Sequence, residues 1–320
     1  MARSVLLIAN PNVALVKDRR QWAELGQALK AKSVQADTVL TEAPGHAREL
    51  SRQNCEKYDV LAAVGGDGML NEVATGILES KGAKPLLATV PAGTGNDVAA
   101  QLGIRGAAEA AGALVRGVPR WIDVIKVQYQ CAGEPRTRYA LSFAAAGFAG
   151  RLVKVTTPGI KRLFCQRFCY AVGFLRALFS FRAPWMRVSA DGESMEGPMF
   201  HVCAGNAEWA GGGVMRISPG AKMDDGQMEI CLIPALGRAE ILWRFPSLLR
   251  GTHIHHAKTR YFGGARLQVE AEPPADVQLD GDPVGTTPTT WELRPRALSV
   301  LSLVAETDAE RARRDRKSVV

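Results

Sequence analysis

The sequence predicts two domains of different class: an N-terminal α/β domain on a parallel sheet, then a β-rich, mostly antiparallel one. Three observations predict it. The chain has 320 residues, about twice the usual domain size and enough to bury two cores. Up to about residue 120, short apolar runs alternate with helical patterns, the rhythm of strands joined by crossover helices. From about Trp121 the texture changes to alternating, turn-punctuated segments. The expected division is residues 1–120, residues 121–305 and a charged tail at 306–320.

The elements follow in order. Residues 4–9 read as a first buried strand, because the apolar run is broken at Asn10-Pro11 and is too short for a secretory core. A helix-like stretch at 17–32, a run at 36–40 and a helix opening near Pro44 lead to the run at 60–64. That run ends in Gly65-Gly66-Asp67-Gly68 and is followed by a helical pattern through Leu70 and Val73. The run at 86–90 ends in Pro91-Ala92-Gly93-Thr94-Gly95-Asn96-Asp97. Two strand-to-helix units therefore carry glycine-rich loops. Later strand-like segments lie at 124–130, 228–233, 266–270 and 298–304, and the tail at 306–317 is a mixed-charge run expected to be a frayed helix or a solvated end.

Composition narrows the class. A hydrophobic share of 47% with 22% charged residues is ordinary globular usage. Six cysteines are scattered without a CxxC pair or a zinc-like grouping, so they read as reduced, cytosolic thiols. Cys165 and Cys169, four apart on a predicted helix, read as packing residues. His253-Ile254-His255-His256 has no carboxylate or cysteine at ligand spacing and reads as a surface loop. The most apolar later stretch, 168–181, is broken by Arg176 and falls short of the roughly 20 residues that span a bilayer. A net charge of +8 points to an anionic partner, which charge alone does not identify.

Glycine at the carboxyl end of a parallel strand lets backbone N–H groups approach an anion, and the next helix adds a favourable dipole. Both glycine loops are thus phosphate-cradle candidates, the competing reading being two tight turns. Neither matches GxxxxGK[ST], and no GxGxxG follows a strand.

Residues 64–73 (VGGDGMLNEV) and 91–97 (PAGTGND) resemble the catalytic domain of the diacylglycerol kinase family, which includes bacterial lipid kinases, sphingosine kinases and ceramide kinases. Further matches in order are Asn10-Pro11, Thr41 with Gly45-His46-Ala47, Ile122-Asp123, Gly205-Asn206, Gly211-Gly212-Gly213, Pro219-Gly220-Ala221, Asp224-Asp225-Gly226 and Leu279-Asp280-Gly281-Asp282. The resemblance implies a Rossmann-like, NAD-kinase-like nucleotide domain, a β-sandwich-like lipid domain, and an active site in the cleft between them. It places ATP against Asn10, Pro11, Asn12, Thr41, Gly65, Gly66, Asp67, Gly68, Met69, Leu70, Asn71, Glu72, Gly93, Thr94, Gly95 and Asn96. It assigns Mg²⁺ to Asp225 with the carbonyls of Lys222 and Gln227. For the base it leaves Asp280 and Asp282 as alternatives, with Asp67 ordering metal or phosphate and sharing that role. Three departures from the family pattern stand out: Asn12-Val13-Ala14 replaces the usual serine and glycine, Met69 replaces a common threonine, and Asp282 replaces a common glutamate.

From residue 135 to 190 there is no acidic residue, while Arg151, Lys154, Lys161, Arg162, Arg167, Arg176, Arg182 and Arg187 interleave with Phe164, Phe168, Tyr170, Phe174, Phe179, Phe181 and Trp185. That pattern suits an anionic membrane interface, against the alternative of a buried amphipathic helix. The expected function is an ATP- and Mg²⁺-dependent kinase of a lipid hydroxyl, diacylglycerol first and a sphingoid base next. A soluble NAD-kinase-like enzyme and a non-catalytic nucleotide or lipid sensor are the rival readings. The expected location is cytoplasmic, peripheral to the inner face of the membrane, without nucleic acid and with a homodimer left open.

Overall fold

The computed structural model describes residues 3–32, 34–156 and 166–304, with side chains excepted at 166–172. Among these, residues 3–122 together with 298–304 form one compact unit, and residues 123–297 form another. The first unit contains β1 (Ser4–Ala9), α1 (Ala14–Lys17), α2 (Arg19–Lys30), β2 (Gln35–Leu40), α3 (His46–Asn54), β3 (Val60–Gly65), α4 (Asp67–Glu79), β4 (Leu86–Pro91), α5 (Asp97–Gln101) and α6 (Ala107–Arg116). The chain leaves it along β5 (Val118–Cys131). The second unit continues with β6 (Glu134–Ala140), β7 (Phe143–Gly147), α7 (Phe148–Val155), α8 (Gln166–Ser180), β8 (Trp185–Ala190), β9 (Glu193–Gly205), β10 (Met228–Pro234), α9 (Arg238–Arg250), β11 (Arg260–Gly264), β12 (Arg266–Glu272) and β13 (Asp276–Leu279). The return is along β14 (Asp282–Ser302).

In the first unit the strand order is β2-β1-β3-β4-β14, every neighbour parallel. Strand β3 and strand β1 after Ser4 are apolar because helices cover both faces of such a sheet, and those residues are buried. Edge strand β2 instead carries Gln35, Asp37 and Thr38 toward solvent. Helix α4 is buried nearly all round, lodged against α3: Ser51 Oγ donates to the Val73 carbonyl at 2.7 Å. A Cβ at Gly76 would lie 2.3 Å from the Arg48 carbonyl oxygen, so only glycine allows the two helices this close.

The final apolar run at 298–304 does not stay with the stretch 121–305 in which the sequence placed it. Val300 pairs in parallel with Leu87, and Ser302 Oγ and the Leu303 N–H both donate to the Leu102 carbonyl. An apolar run carries no local mark of which sheet will bury it.

The second unit is an antiparallel β sandwich whose pairing closes on itself: β9 with β7, β7 with β13, β13 with β14, β14 with β12, β12 with β8, and β8 with β9. Strand β9 serves both layers, pairing with β8 through residues 193–198 and with β7 through 201–205. The core between them holds Val202, Ile230, Leu267, Val277 and the fully buried Trp291. The Trp291 indole donates to Thr289 Oγ1 at 2.8 Å, and that hydroxyl donates to the Gln128 carbonyl at 2.6 Å, so burying the indole leaves no donor unmet.

His201 on β9 is half-buried overall, but its Nδ1 is sealed from solvent and has no hydrogen-bond partner among the described residues. Burial, then the nearby His253, lowers its pKa to about 4. In the unfolded chain the imidazole titrates near 6.5. Between these values the unfolded state binds more protons, so stability falls as pH drops from about 6.5 to about 4, by at most about 3 kcal/mol. Across this window the urea midpoint of wild type should fall relative to that of His201→Phe as pH drops; parallel curves would remove His201 as the cause.

Candidate active site

The strand order reverses between β1 and β3, since β2 lies outside β1 while β3 and β4 follow on its other side. At such a switch point the loops leaving the carboxyl ends diverge and open a crevice, the usual ligand site of a parallel α/β sheet. The predicted nucleotide residues fall on this edge: Asn10, Pro11 and Asn12 after β1, Thr41 after β2, Gly65 to Met69 at the end of β3, and Gly93 to Asn96 after β4. Ladder-like bonds reach the base of each loop. The Asn10 N–H donates to the Val64 carbonyl at 3.1 Å, the Thr41 N–H to the Ala9 carbonyl at 2.9 Å, and the Ala92 N–H to the Gly65 carbonyl at 2.8 Å.

The two glycine loops touch. A Cβ at Gly93 would lie 2.3 Å from Gly66 Cα, and one at Gly66 would lie 3.1 Å from Gly93 Cα. The Asp67 carboxylate accepts the Asn96 N–H at 2.6 Å and so joins the loops a second time. Asn96, in the left-handed region at φ 58°, closes its own turn: its Oδ1 accepts the Gly93 N–H at 3.1 Å and its Nδ2 donates to the Gly93 carbonyl at 2.9 Å. Asparagine tolerates this conformation better than most residues.

Asp67 opens α4, whose N-cap is Gly66 with no side-chain cap bond. The first N–H groups of a helix lie beyond the reach of its own carbonyls, and the dipole there favours an anion. A phosphate bound at this edge would meet the half-buried Asp67 carboxylate, which would repel it unless a divalent cation stood between them.

Other predicted residues act less directly. Leu70 and Asn71 are buried within α4. Glu72 accepts the Gly45 N–H at 2.8 Å and thereby holds the loop after β2 beside α4. Met69 packs under the loop: a Cβ at Gly65 would fall 2.7 Å from Met69 Cβ. Asn10 Oδ1 accepts the Asn12 N–H at 2.8 Å, a local turn made without the serine and glycine of the family pattern. Thr94 is exposed at the loop tip.

The second unit carries the remaining acids. Asp280 and Gly281, at φ 48° and 88°, form the two-residue turn joining β13 to β14, with Leu279 opposite Asp282. The Asp280 carboxylate accepts the N–H groups of Leu141 (2.8 Å), Ser142 (2.8 Å) and Phe143 (3.0 Å), so it ties the turn to the start of β7. Asp282 differs: its side chain is 49% exposed, with the Arg138 guanidinium 3.8 Å away.

Sequence reasoning gave Asp123 no role. It is fully buried, and its carboxylate accepts the Gly226 and Arg296 N–H groups, each at 2.7 Å. Its own N–H donates to the Met223 carbonyl at 2.6 Å, so Asp123 organises the loop that carries Lys222, Asp225 and Gln227. Burial raises its pKa, opposed by those backbone bonds and reinforced by Asp225 and Asp224. The one sequence signal was its place in the Ile122-Asp123 match. Among the described residues, no three histidine, cysteine or acidic side chains converge on a metal position. A Mg²⁺ in this loop would have one carboxylate, that of Asp225, with backbone carbonyls and water, the hydrated coordination that this ion keeps. His255 is exposed as a surface loop predicts, whereas His253 is nearly buried and His256 lies 3.6 Å from Glu240, so the expected open loop is corrected at those two positions. Lys161, Arg162, Phe164, Cys165, Arg167, Phe168, Cys169 and Tyr170 lie outside the residues whose side chains are described.

An α/β unit with paired glycine loops at its carboxyl edge, joined to a β sandwich, defines a nucleotide-binding kinase of the NAD-kinase-like fold. The fold is shared with an NAD kinase from Archaeoglobus fulgidus solved with ATP (TM-score 0.51, 14% identity, 93% of each chain covered). It is also shared with a putative diacylglycerol kinase from Bacillus anthracis (TM-score 0.75, 22% identity, covering 94% of this chain and 96% of that one). Residues 4–127 match the diacylglycerol kinase catalytic domain, and residues 143–302 match the YegS C-terminal NAD kinase beta sandwich-like domain. The chain is 26% identical to a diacylglycerol kinase of Bacillus subtilis over 287 residues (88% of this chain, 90% of that protein). It is 27% identical to one of Staphylococcus aureus over 308 residues (94% and 93%). The chain belongs to the diacylglycerol kinase catalytic-domain family, and it is a lipid kinase.

Because the loops meet at glycine, Gly93→Ala should push them apart. The expected result is a loss of about 1–3 kcal/mol of stability by denaturant titration and at least a tenfold weaker nucleotide affinity by calorimetry. Unchanged affinity would show that the contact does not shape the site.

Proposed function

We propose that this protein transfers the γ-phosphoryl group of ATP to the hydroxyl of a diacylglycerol-like lipid presented at an anionic membrane surface on the cytoplasmic side. The observation that supports it most is the direct contact of the two glycine loops, with the Asp67 carboxylate bonded across them. Phosphoryl transfer needs little covalent help and much positioning. On this reading the N–H groups of residues 65–69 and 93–96 orient the triphosphate, Asn10 and Thr41 border the nucleotide, and Glu72 keeps the loop after β2 in place. The unit of residues 3–122 with 298–304 would serve the nucleotide and residues 123–297 the lipid.

We assign the base to Asp282 and a positioning role to Asp280. Three backbone N–H groups already occupy the Asp280 carboxylate, whereas Asp282 is half exposed and able to accept the proton of an attacking hydroxyl. Asp67 would hold the magnesium that accompanies ATP. Asp225, with the Lys222 and Gln227 carbonyls, would hold a second, structural one. When bound, magnesium supplies charge neutralisation for the transferring phosphoryl group.

Radiolabel transfer from ATP to a total lipid extract tests the reading, the labelled species identifying the acceptor. Asp67→Asn keeps an oxygen for the Asn96 N–H but removes the charge, and should lower labelling by about 10³-fold or more without a change in melting temperature. Asp282→Asn should cost about 10²–10⁴-fold in kcat. Asp280→Asn should mainly lower stability, by about 1–3 kcal/mol. No label in any lipid with the wild-type chain would defeat the proposal, and a larger kcat loss at Asp280 than at Asp282 would reverse the two assignments.

A further inference from the structure

We infer that the outer face shared by α8 and α9 is the surface on which this protein docks to an anionic membrane. The inference rests on the lipid-kinase reading and locates the contact. Both helices cover one apolar cluster: Ala177 and Leu178 of α8 and Ile241 of α9 are buried there with Phe148, and Phe174 packs on Phe245 with ring centroids 4.8 Å apart. Their inward faces are therefore satisfied, and the core explains none of the apolar residues on the other side.

Those residues are large. Trp243 is 78% exposed, Phe179 62%, Leu175 43% and Leu242 42%, four of the chain's exposed large hydrophobic side chains on two adjoining helices. Singly, an exposed apolar side chain is ordinary, but several on two adjoining helices with arginines beside them mark an interaction surface. The rim here is basic. The Arg238 guanidinium lies 5.8 Å from the centroid of the Phe179 ring and donates to the Phe179 carbonyl at 3.2 Å, and Arg244 lies 5.4 Å from the centroid of the Trp243 ring. Arg176 is exposed between Leu175 and the buried Ala177. Glu240, the only acid on either helix, faces Arg244, His256 and Lys258 and is already balanced.

Charge complementarity selects the occupant. A neutral apolar partner would leave the arginines unused, and nucleic acid would leave the aliphatic leucines unpaired. A bilayer of anionic lipid satisfies both, with tryptophan and phenylalanine entering the headgroup boundary and guanidinium groups meeting lipid phosphates. Arginine stacked on an aromatic ring can stay at the headgroup level while the ring goes deeper.

Co-sedimentation of the full chain with vesicles tests this, without ATP or acceptor, comparing phosphatidylglycerol mixed into phosphatidylcholine with phosphatidylcholine alone. Wild type should bind the mixed vesicles and release them as salt rises. Trp243→Ala with Phe179→Ala should weaken binding at least tenfold, and Arg238→Gln with Arg176→Gln should weaken it about tenfold on mixed vesicles only. Phosphoryl transfer to a short-chain, water-soluble diacylglycerol should be unchanged in both variants. Vesicle binding equal to wild type in both would overturn the inference, as would a patch variant that changes oligomeric mass instead, which would give the face to a second copy. Loss of transfer to the soluble acceptor in wild type itself would defeat the kinase reading and leave the docking result to stand alone.

Discussion

The candidate site depends on a backbone contact. Gly66 and Gly93 approach so closely that a methyl group at Gly93 would overlap Gly66 and one at Gly66 would crowd Gly93, and the bond from the Asn96 N–H to Asp67 locks the same junction a residue away. Two loops from neighbouring strands are thus held together at their peptide groups. A peptide N–H carries no net charge and little conformational freedom, so a cradle built from it is ordered before any phosphate arrives and loses little entropy on binding.

The parallel sheet makes that junction reachable. Strands β3 and β4 pair in register from Val60 opposite Leu86 to Gly65 opposite Pro91, which delivers both glycine loops to the same level. The order reversal at β1 opens space beside them. The sandwich unit follows a different logic. Its long strands serve two layers around an apolar core, and its acids are used first to hold turns: Asp280 binds the N–H groups before β7, and Asp123 binds the loop before β10.

Much of this was legible in the residues. The parallel rhythm, both glycine loops and the antiparallel second half follow from periodicity and from glycine placement, which are local signals. What escaped was set by distant partners. The run at 298–304 reads as a strand, yet only its pairing with Leu87 tells which sheet receives it. Asp280 and Asp282 are indistinguishable as letters, and only the three N–H groups around Asp280 separate a structural carboxylate from an open one. Glu72 was read as a ligand contact but acts through Gly45, a residue 27 positions away. The exposed side of α9 was missed because its tryptophan and leucines look like core until the opposite face is seen to fill the core already.

Helix α4 has one more implication. Its first turn joins the two glycine loops through Asp67, its second holds Gly45 through Glu72 and meets Ser51 at Val73, and its third is keyed into α3 by Gly76. A helix gripped at three heights behaves as a rigid strut, so occupancy at its tip is mechanically coupled to α3. Slower amide hydrogen exchange at the back of the first unit is the natural signature of a loaded front.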